Sequence, residues 1–375
     1  MTQSRSLPKK MSTILHPIST SPPDKQLEFM DLAFQVAERI DPHSTSPNPR
    51  VGCVVVENGR LLAEGAHQKH GHHHAEVNAG LKFPNLVGCE VYVTLEPCDD
   101  FVGKKTPSCT NFLIQREPAK VYVGSLDPNF DGRSLDKLKR AGVEVEYLEG
   151  FAERAAKLNP FFRTSPRPYV CVKLAQTLDG RINLDNENYG TGKPYISNAL
   201  SRQKVHELRA QYAAVLTTTK TVLADDPLLT CRLGASTLPW IHSNPDVVVL
   251  GDTKLPQDLR LFEPLDRQIL THPRGNLAEI LQHCRTEWQL DSLLVEAGTD
   301  MVTQLMEANL VDEIQLFMAP QIAGQGPLGI QHEVDLSSFS LVENRNLDGD
   351  IWLRYGGNNV WMGKYLFLCT IVDQL

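Results

Sequence analysis

The chain has 375 residues, a formal net charge of −8 at pH 7 and an apolar share of 41%. This length predicts two ordinary domains, and no stretch approaches the roughly 18 uninterrupted apolar residues of a membrane span. The acidic balance disfavours nucleic acid as a partner and favours a small-molecule substrate. The eight cysteines are scattered and follow no secretory signal, so we expect a cytoplasmic protein whose cysteines bind metal or lie in a core.

The first 23 residues contain no acidic side chain and are rich in Ser, Thr, Pro, Lys and Arg. This composition predicts a disordered tail at 1–23, with an organelle transit peptide or a true start at Met11 as the alternatives. Apolar residues then recur at helical spacing from 27 to 40, and Asp41-Pro42 ends that pattern. The first predicted element is therefore a helix.

Strand and helix patterns alternate from there to residue 148. The patterns predict helices at 76–81, from about 109, and at 135–140, and strands at 51–56, 60–65, 90–95, 120–124 and 143–148. Asn58-Gly59 predicts a two-residue hairpin turn between the first two strands. This alternation predicts a layered α/β domain over residues 24–150.

A helix-like stretch at 151–158 and a polar, proline-rich segment predict a linker at 151–168. Beyond it the sequence predicts a helix at 201–212 and strands at 170–174, 214–217, 247–250, 292–295 and 312–318. We therefore expect a second α/β domain over residues 169–356, with no internal repeat relating it to the first. The remaining segment, 357–375, has no role that the sequence assigns.

One constellation in the first domain predicts zinc chemistry. His74 stands two residues before Glu76, and Cys98 follows a proline, with Cys109 further on. A histidine, two thiolates and a glutamate that does not bind the metal are the signature of zinc deaminases. Three protein ligands leave a fourth zinc position for a water whose pKa falls to about 7, and the glutamate then moves its proton. Cys53 and Cys89 are interpreted as buried core residues instead.

The long spacing between the two cysteines resembles the deaminase domain of the bifunctional riboflavin-biosynthesis deaminase/reductase family. The segments that carry the resemblance are 47–53 (PNPRVGC), 64–67 (EGAH), 71–76 (GHHHAE), 94–98 (TLEPC), 103–109 (GKKTPSC) and 127–129 (DPN). The resemblance implies a cytidine-deaminase-like α/β/α layered domain. It also implies that Asn48 and His67 position the pyrimidine, and that Lys105 and Thr106 hold the phosphoribosyl part of the substrate.

The zinc loop departs from the family pattern at several positions. The family commonly has Ser-His after the first cysteine, where this chain has Asp99-Asp100-Phe101. The family run between the cysteines ends Pro-Pro-Cys, and the histidine usually found two places after the glutamate is Asn78 here. We expect the zinc site to survive these changes and the loop's contacts to substrate to differ.

Residues 167 to about 355 resemble the reductase domain of the same family, which has a dihydrofolate-reductase-like α/β fold and uses NADPH. The segments that carry this resemblance are 168–170 (PYV), 177–181 (TLDGR), 221–227 (TVLADDP), 229–232 (LTCR), 295–298 (VEAG) and 319–321 (APQ). By this resemblance the residues that face the cofactor are Ala175, Tyr195, Thr221, Asp225 and Gly298. Those that face the sugar phosphate are Arg209, Leu229, Arg232 and Glu296.

Tyr195 is a further departure, because the family has a tryptophan in the corresponding Gly-Glu-Ser-x-Trp-Ile-Thr run and a shorter preceding loop than 183–195. The leading interpretation is a homo-oligomeric enzyme that performs two successive steps of riboflavin synthesis with zinc and NADPH. One alternative is a deaminase whose impaired reductase domain serves as a scaffold. Others are a non-catalytic zinc module, which Glu76 disfavours, and a nucleic-acid deaminase, which the acidic balance disfavours.

Overall fold

The structure, a computed structural model, describes residues 22–100, 106–162, 165–182, 195–233, 244–331 and 333–357. The predicted tail up to residue 21, Lys105, most of the loop at 183–195 and the segment 358–375 lie outside these residues. Among the described residues, no helix combines the length and the hydropathy that a membrane crossing requires.

The N-terminal domain is built on a mixed sheet. Its described strands are β1 (Gly52–Glu57), β2 (Arg60–Ala66), β3 (Glu90–Val93), β4 (Lys120–Val123) and β5 (Glu144–Tyr147), in the order β2-β1-β3-β4-β5. Strand β1 pairs antiparallel with both β2 and β3, whereas β3, β4 and β5 run parallel. The carboxyl ends of β3 and β4 therefore meet at one edge of the sheet, where the predicted zinc segment begins.

Helices cover both faces of this sheet. They are α1 (Pro23–Glu38), α2 (Pro42–Thr45), α3 (Ala75–Lys82), α4 (Cys109–Arg116), α5 (Arg133–Arg140) and α6 (Ala152–Leu158). Because strand side chains alternate between faces, Val91 and Val93 pack with α3, α4 and α5, while Tyr92 packs with α1 and α6. The predicted alternation of strands and helices thus forms three layers.

Two glycines of the N-terminal sheet meet backbone requirements, one in a turn and one at a close approach to a helix. The hairpin between β1 and β2 turns at Asn58 and Gly59, with φ values of 51° and 71°, as the Asn-Gly pair predicts. A Cβ atom on Gly65 would lie 2.3 Å from the Ala75 carbonyl oxygen. Strand β2 therefore packs directly against the first turn of α3, and only glycine permits this contact.

The C-terminal domain carries a larger mixed sheet. Its described strands are β6 (Tyr169–Thr177), β7 (Ala214–Thr218), β8 (Asp246–Leu250), β9 (Ile269–His272), β10 (Ser292–Val295), β11 (Glu313–Ala319), β12 (Phe339–Leu347) and β13 (Asp350–Gly357). They lie in the order β12-β13-β11-β6-β10-β7-β8-β9. The six strands β6 to β11 run parallel to one another, and β13 and β12 add an antiparallel edge next to β11.

The helices of this domain are α7 (Ala199–Arg209), α8 (Thr219–Asp225), α9 (Leu277–Thr286) and α10 (Thr299–Glu307), with a 3₁₀ turn at Arg260–Phe262. Buried Glu313 anchors the centre of the sheet, where it accepts hydrogen bonds from Tyr169, Tyr212 and Arg354. A buried carboxylate is tolerated when such partners satisfy it. This network joins β6, β11 and β13 with the segment that links α7 to β7.

Asn159, directly after α6, links the predicted linker to the N-terminal domain through hydrogen bonds. Its side-chain oxygen accepts from the Arg50 amide at 2.7 Å, and its amide nitrogen donates to the Arg50 carbonyl at 3.0 Å. The Arg50 guanidinium also donates to the Leu158 carbonyl. The loop that carries Asn48 is thereby tied to the segment that leads into the C-terminal domain.

Candidate catalytic sites

The three predicted zinc ligands meet at one end of the N-terminal sheet. His74 is the N-cap residue of α3, Cys109 is the first residue of α4, and Cys98 lies in the loop after β3. The Sγ atoms of Cys98 and Cys109 are 3.3 and 3.5 Å from His74 Nδ1. All three candidate ligand atoms lie within 4.8 Å of one another.

These distances suit a zinc ion. Tetrahedral zinc with Zn–S near 2.3 Å and Zn–N near 2.0–2.1 Å would place the sulfur and nitrogen atoms about 3.5 Å apart. The other ring nitrogen, His74 Nε2, lies 3.4 Å from Thr106 Oγ1. An outer contact of this kind orients a ligating imidazole. The donor set therefore fits a zinc site with three protein ligands.

Glu76 lies in the first turn of α3 and is 4% exposed. Burial raises the pKa of its carboxyl group, and the neighbouring Cys98 raises it further. A hydrogen bond with Cys109 acts in the opposite direction. The carboxyl group thus stands beside the candidate zinc ligands and is largely shielded from bulk water.

His67 and Asn48 form a second pair next to the ligands. Asn48 Nδ2 lies 3.3 Å from His67 Nε2, and His67 Nδ1 lies 3.1 Å from the His73 carbonyl oxygen. Burial lowers the pKa of His67 to about 4, so the ring is neutral at pH 7. Because a carbonyl only accepts, the proton sits on Nδ1, and Nε2 accepts from the Asn48 amide.

Two of the three candidate zinc ligands, His74 and Cys98, line one cavity of about 860 Å³ together with Glu76, His67 and Asn48. Thr106 also lines it, whereas Lys105 lies outside the described residues. Part of the wall comes from beyond the N-terminal domain: Phe162 of the linker, and Arg285 and Gln289 at the end of α9 and just after it. The volume exceeds that of a pyrimidine ring and leaves room for a sugar phosphate.

The predicted reductase residues gather at the carboxyl ends of the parallel strands of the larger sheet. Glu296, just after β10, accepts from Arg209 Nε at 2.5 Å and from Arg209 Nη2 at 3.0 Å. Lys173 Nζ is 3.7 Å from the same carboxylate. Burial opposes ionisation of Glu296, but Arg209 and Lys173 outweigh it and lower its pKa to about 2. The family resemblance implies that Arg209 faces a substrate phosphate. In the structure the Arg209 guanidinium is instead hydrogen-bonded to the Glu296 carboxylate.

Arg232 is the more accessible arginine of this site. Its side chain is exposed, and Nη1 lies 3.3 Å from Thr230 Oγ1. Burial and the positive charge of Arg209 lower the pKa of Arg232. Leu229, three residues earlier, is buried with a positive φ of 50°. Because Arg209 is paired with Glu296, the exposed Arg232 guanidinium is the group of this pair that is placed to bind an anion.

The residues expected to face the cofactor lie on several elements of the C-terminal domain, and Tyr195 differs from the others in its exposure. Gly298 is the N-cap residue of α10, and its amide donates to Thr221 Oγ1 at 3.3 Å. Ala175 lies on β6 and Asp225 ends α8. Tyr195 stands apart as a 70% exposed ring with the Arg202 guanidinium 4.7 Å from its centroid. A loop before a helix N-terminus, as at Gly298, is suited to a cofactor phosphate.

Comparison with known proteins identifies the family. The chain is 35% identical to the riboflavin biosynthesis protein RibD of Actinobacillus pleuropneumoniae over 355 residues, which cover 83% of this chain and 90% of that protein. It is 31% identical to the RibD of Escherichia coli K12 over 377 residues, or 88% and 98% of the two chains. The chain belongs to the RibD family.

Family and structural matches place both halves within RibD. Residues 23–125 match the cytidine and deoxycytidylate deaminase zinc-binding region, and residues 168–353 match the RibD C-terminal domain. Acinetobacter baumannii RibD superposes with a TM-score of 0.73 at 31% identity, covering 89% of this chain and 99% of its own. The deaminase/reductase of Thermotoga maritima gives 0.68 at 30% identity, with the same coverage.

These matches confirm the predicted fold class, a cytidine-deaminase-like domain followed by a dihydrofolate-reductase-like domain. They also confirm a bifunctional enzyme of riboflavin biosynthesis, whose cofactors in the RibD family are zinc and NADPH. The residues assigned to each site by resemblance remain predictions for this RibD chain.

Sequence reasoning singled out no role for several residues that hold these RibD sites together. Glu96 is 2% exposed and accepts from the Gly132 and Ser134 amides, so it caps the start of α5. Asn78 donates to the carbonyls of Ala66 and His73. Glu96 stands in the TLEPC run that carries the family resemblance, and this run is the one sequence feature that could have indicated its importance. The main contacts of Glu96 and Asn78 are with residues distant in sequence.

In the reductase site the overlooked residue is Arg267. Its guanidinium donates to the carbonyls of Leu229 and Leu261 at 3.0 and 3.2 Å. The side chain therefore supports the buried Leu229 backbone, which has a positive φ. A single arginine before β9 gives no sequence pattern that would predict this contact.

Proposed function

We propose that the chain performs two successive reactions of riboflavin synthesis on one phosphoribosylated pyrimidine. In the first, water replaces the 2-amino group of 2,5-diamino-6-(5-phosphoribosylamino)pyrimidin-4(3H)-one, which leaves as ammonia. In the second, a hydride from NADPH and a proton convert the ribosyl group to ribityl, giving 5-amino-6-(5-phosphoribitylamino)uracil. The observation that carries the first reaction is the cavity lined by His74, Cys98, Glu76, His67 and Asn48, with Cys109 completing the candidate ligand set.

Each residue of the deaminase site has a separate proposed role in the hydrolysis. His74, Cys98 and Cys109 would hold the zinc ion, which would supply a water acidic enough to lose a proton near pH 7. Glu76 takes that proton on its carboxylate and returns one to the departing amine. Neutral His67 fixes the Asn48 side chain, and Asn48 offers its remaining hydrogen-bonding atoms to the pyrimidine edge. Burial of Glu76 shields the transferred proton from bulk water between the two transfers.

The reductase residues have the following proposed roles. Arg232 binds the substrate phosphate, because it is the exposed guanidinium beside the engaged Arg209. Glu296, held by Arg209 and Lys173, faces the ribosyl group as an ionised acceptor. The Gly298 backbone at the start of α10, with Thr221, binds a cofactor phosphate.

The alternative for the second domain is a scaffold without reductase activity. The observation that favours it is Tyr195, whose 70% exposed ring stands where the family has tryptophan. Full-length protein supplied with NADPH and the deaminated ribosylamino uracil phosphate distinguishes the two. Steady loss of NADPH absorbance, with a turnover number of roughly 1–10³ s⁻¹ as in ordinary enzymes, supports reductase activity. Absence of turnover at saturating NADPH supports the scaffold.

The remaining predictions belong to the same proposal. We propose a homo-oligomer in the cytoplasm whose substrate is a small molecule and not nucleic acid. The seven described cysteines carry free thiols, which suits a reducing compartment. The acidic net charge of −8 opposes binding to a phosphate backbone. Size-exclusion chromatography with light scattering measures the oligomeric state directly.

A further inference from the structure

Two departures from the family sequence meet in space beside the zinc ligands. Asp99 directly follows Cys98, and Ser108 directly precedes Cys109. Ser108 Oγ lies 3.2 Å from Asp99 Oδ1 and 3.2 Å from the Cys98 carbonyl oxygen. In the family run the residue before the second cysteine is proline, which has no hydroxyl group to donate. A proline at position 108 could not make this contact.

Asp99 is also joined to a third element. Lys137 Nζ on α5 donates to Asp99 Oδ1 at 2.6 Å, and the Asp100 amide donates to the same oxygen at 2.8 Å. The side chains of Asp99 and Lys137 are 22% and 33% exposed, so water screens this pair less than a pair on the open surface. Hydrogen bonds to a charged group are about twice as strong as neutral ones.

The same contacts fix the helix that carries Cys109. Ser108 is the N-cap of α4, where its Oγ accepts from the Asn111 amide at 3.1 Å. Thr110 Oγ1 lies 3.1 Å from the carbonyl oxygens of Pro97 and Cys98. The backbone on both sides of the two thiolates is thus held by side chains of the adjacent segment.

We propose that Asp99 is a positioning residue, which together with Ser108 and Lys137 fixes the distance between the Cys98 and Cys109 thiolates and so tightens zinc binding. Asp99 does not ligate the metal and takes no part in proton transfer. The inference rests on the proposed zinc site. Residues that orient metal ligands from outside the coordination sphere typically contribute about 10-fold to 100-fold to metal affinity.

The test is zinc affinity of the full-length protein, measured by competition with a chromophoric chelator. Asp99→Ala should weaken zinc binding about 10-fold to 100-fold. Asp99→Asn keeps an acceptor for Ser108 and loses the charge, so its loss should be smaller. Asp131→Asn is the matched control, because it removes an exposed carboxylate of the same domain outside the cavity, and its zinc affinity should equal that of the wild type.

A double-mutant cycle isolates the ion pair. Lys137→Met should weaken zinc binding about as much as Asp99→Asn, and the double variant should lose little more than either single variant. Cobalt(II) replacing zinc gives a second measurement, because its ligand-field absorption reports the geometry of a thiolate site. We expect Asp99→Ala to broaden or shift that absorption and Asp131→Asn to leave it unchanged.

The outcomes separate this inference from the proposed function. Wild-type protein that binds no zinc overturns the zinc site itself. Wild-type protein that binds zinc tightly, with Asp99→Ala binding equally tightly and giving the same cobalt spectrum, overturns the positioning role alone. If Asp99→Ala does not fold, Asp99→Asn and Lys137→Met carry the test, and strictly additive losses in their double variant contradict the pair.

Discussion

The two candidate sites are assembled in opposite ways. The deaminase site draws its reactive groups from the segments 48–76 and 96–109, and His74, Glu76 and Cys109 stand at helix starts. The reductase site collects Lys173 from the middle of β6, Arg209 from the end of α7 and Glu296 from just after β10, and the last two are 87 positions apart in sequence. The first site is local in sequence, and the second depends on the topology of a sheet.

The two sites also differ in how far the charges of their own side chains balance one another. The deaminase pocket brings two thiols, a buried carboxyl group and a neutral His67 together, which suits an added cation. In the reductase site, Glu296 is already paired with Arg209 and Lys173. The deaminase site therefore needs a metal ion to balance the charge of its thiolates. In the reductase site the Glu296 carboxylate is already balanced by cationic side chains, and Arg232 is placed to bind an anion.

The largest expected effect separates the chemistry of the first site from its metal binding. Glu76→Gln should retain zinc, because the ligands are unchanged, and should lower ammonia release by about 10²-fold to 10⁴-fold, because the proton carrier is lost. Zinc content by elemental analysis and ammonia release in the same preparation measure both. NADPH oxidation with the deaminated intermediate is the control and should be unchanged. Ammonia release near the wild-type rate would remove Glu76 from the mechanism.

The buried pair of the second site should control stability. Glu296→Gln leaves the Arg209 charge without its carboxylate and should lower the free energy of unfolding by about 3–5 kcal/mol. In the wild type the pKa of Glu296 falls from 4.5 to about 2 on folding. Its stabilising contribution is therefore complete above pH 4.5 and is lost as the pH falls towards 2.

Denaturant unfolding at several pH values checks this expectation. The stability difference between wild type and Glu296→Gln should be constant above pH 4.5 and should shrink below it. The exposed Glu263→Gln substitution is the control and should change stability by no more than about 0.5 kcal/mol. A difference independent of pH from 6 to 2 would contradict the ionised pair.

Much of the first site could be predicted from the sequence, and less of the second. The ligand spacing, the Asn58-Gly59 turn and the buried strands all follow from local patterns. The contacts of Glu96, Asn78 and Arg267 do not, because each joins segments that only the folded chain brings together. Strand β12, mostly exposed, and β9 lack the alternation or the buried run by which a strand is recognised.

The third prediction concerns the anion expected beside Arg209. Arg232→Ala removes the exposed guanidinium and should weaken binding of the reductase substrate by about 10-fold to 100-fold, because one charge-assisted hydrogen bond is lost. The KM for the phosphorylated intermediate measures this, and the KM for NADPH should hardly change. A dephosphorylated intermediate should bind wild type and variant equally. Equal losses with and without the phosphate would place Arg232 elsewhere.

The smallest effect is expected at Tyr195. If its exposed ring contacts bound NADPH, Tyr195→Ala should raise the KM for NADPH about two-fold to ten-fold, with little change in the maximal rate. Tyr195→Trp restores the family residue and should keep or lower that KM. An alanine variant that matches the wild type would show that the tyrosine takes no part in binding the cofactor.

The central claim is that one chain completes both reactions, and the stoichiometry from the diaminopyrimidine substrate tests it most directly. Full-length, zinc-loaded protein receives that substrate and excess NADPH, and ammonia and NADPH are followed together. We predict that ammonia appears first, that NADPH oxidation follows after a lag, and that the totals agree at one to one. Ammonia release without NADPH oxidation, or oxidation without ammonia, would contradict the account.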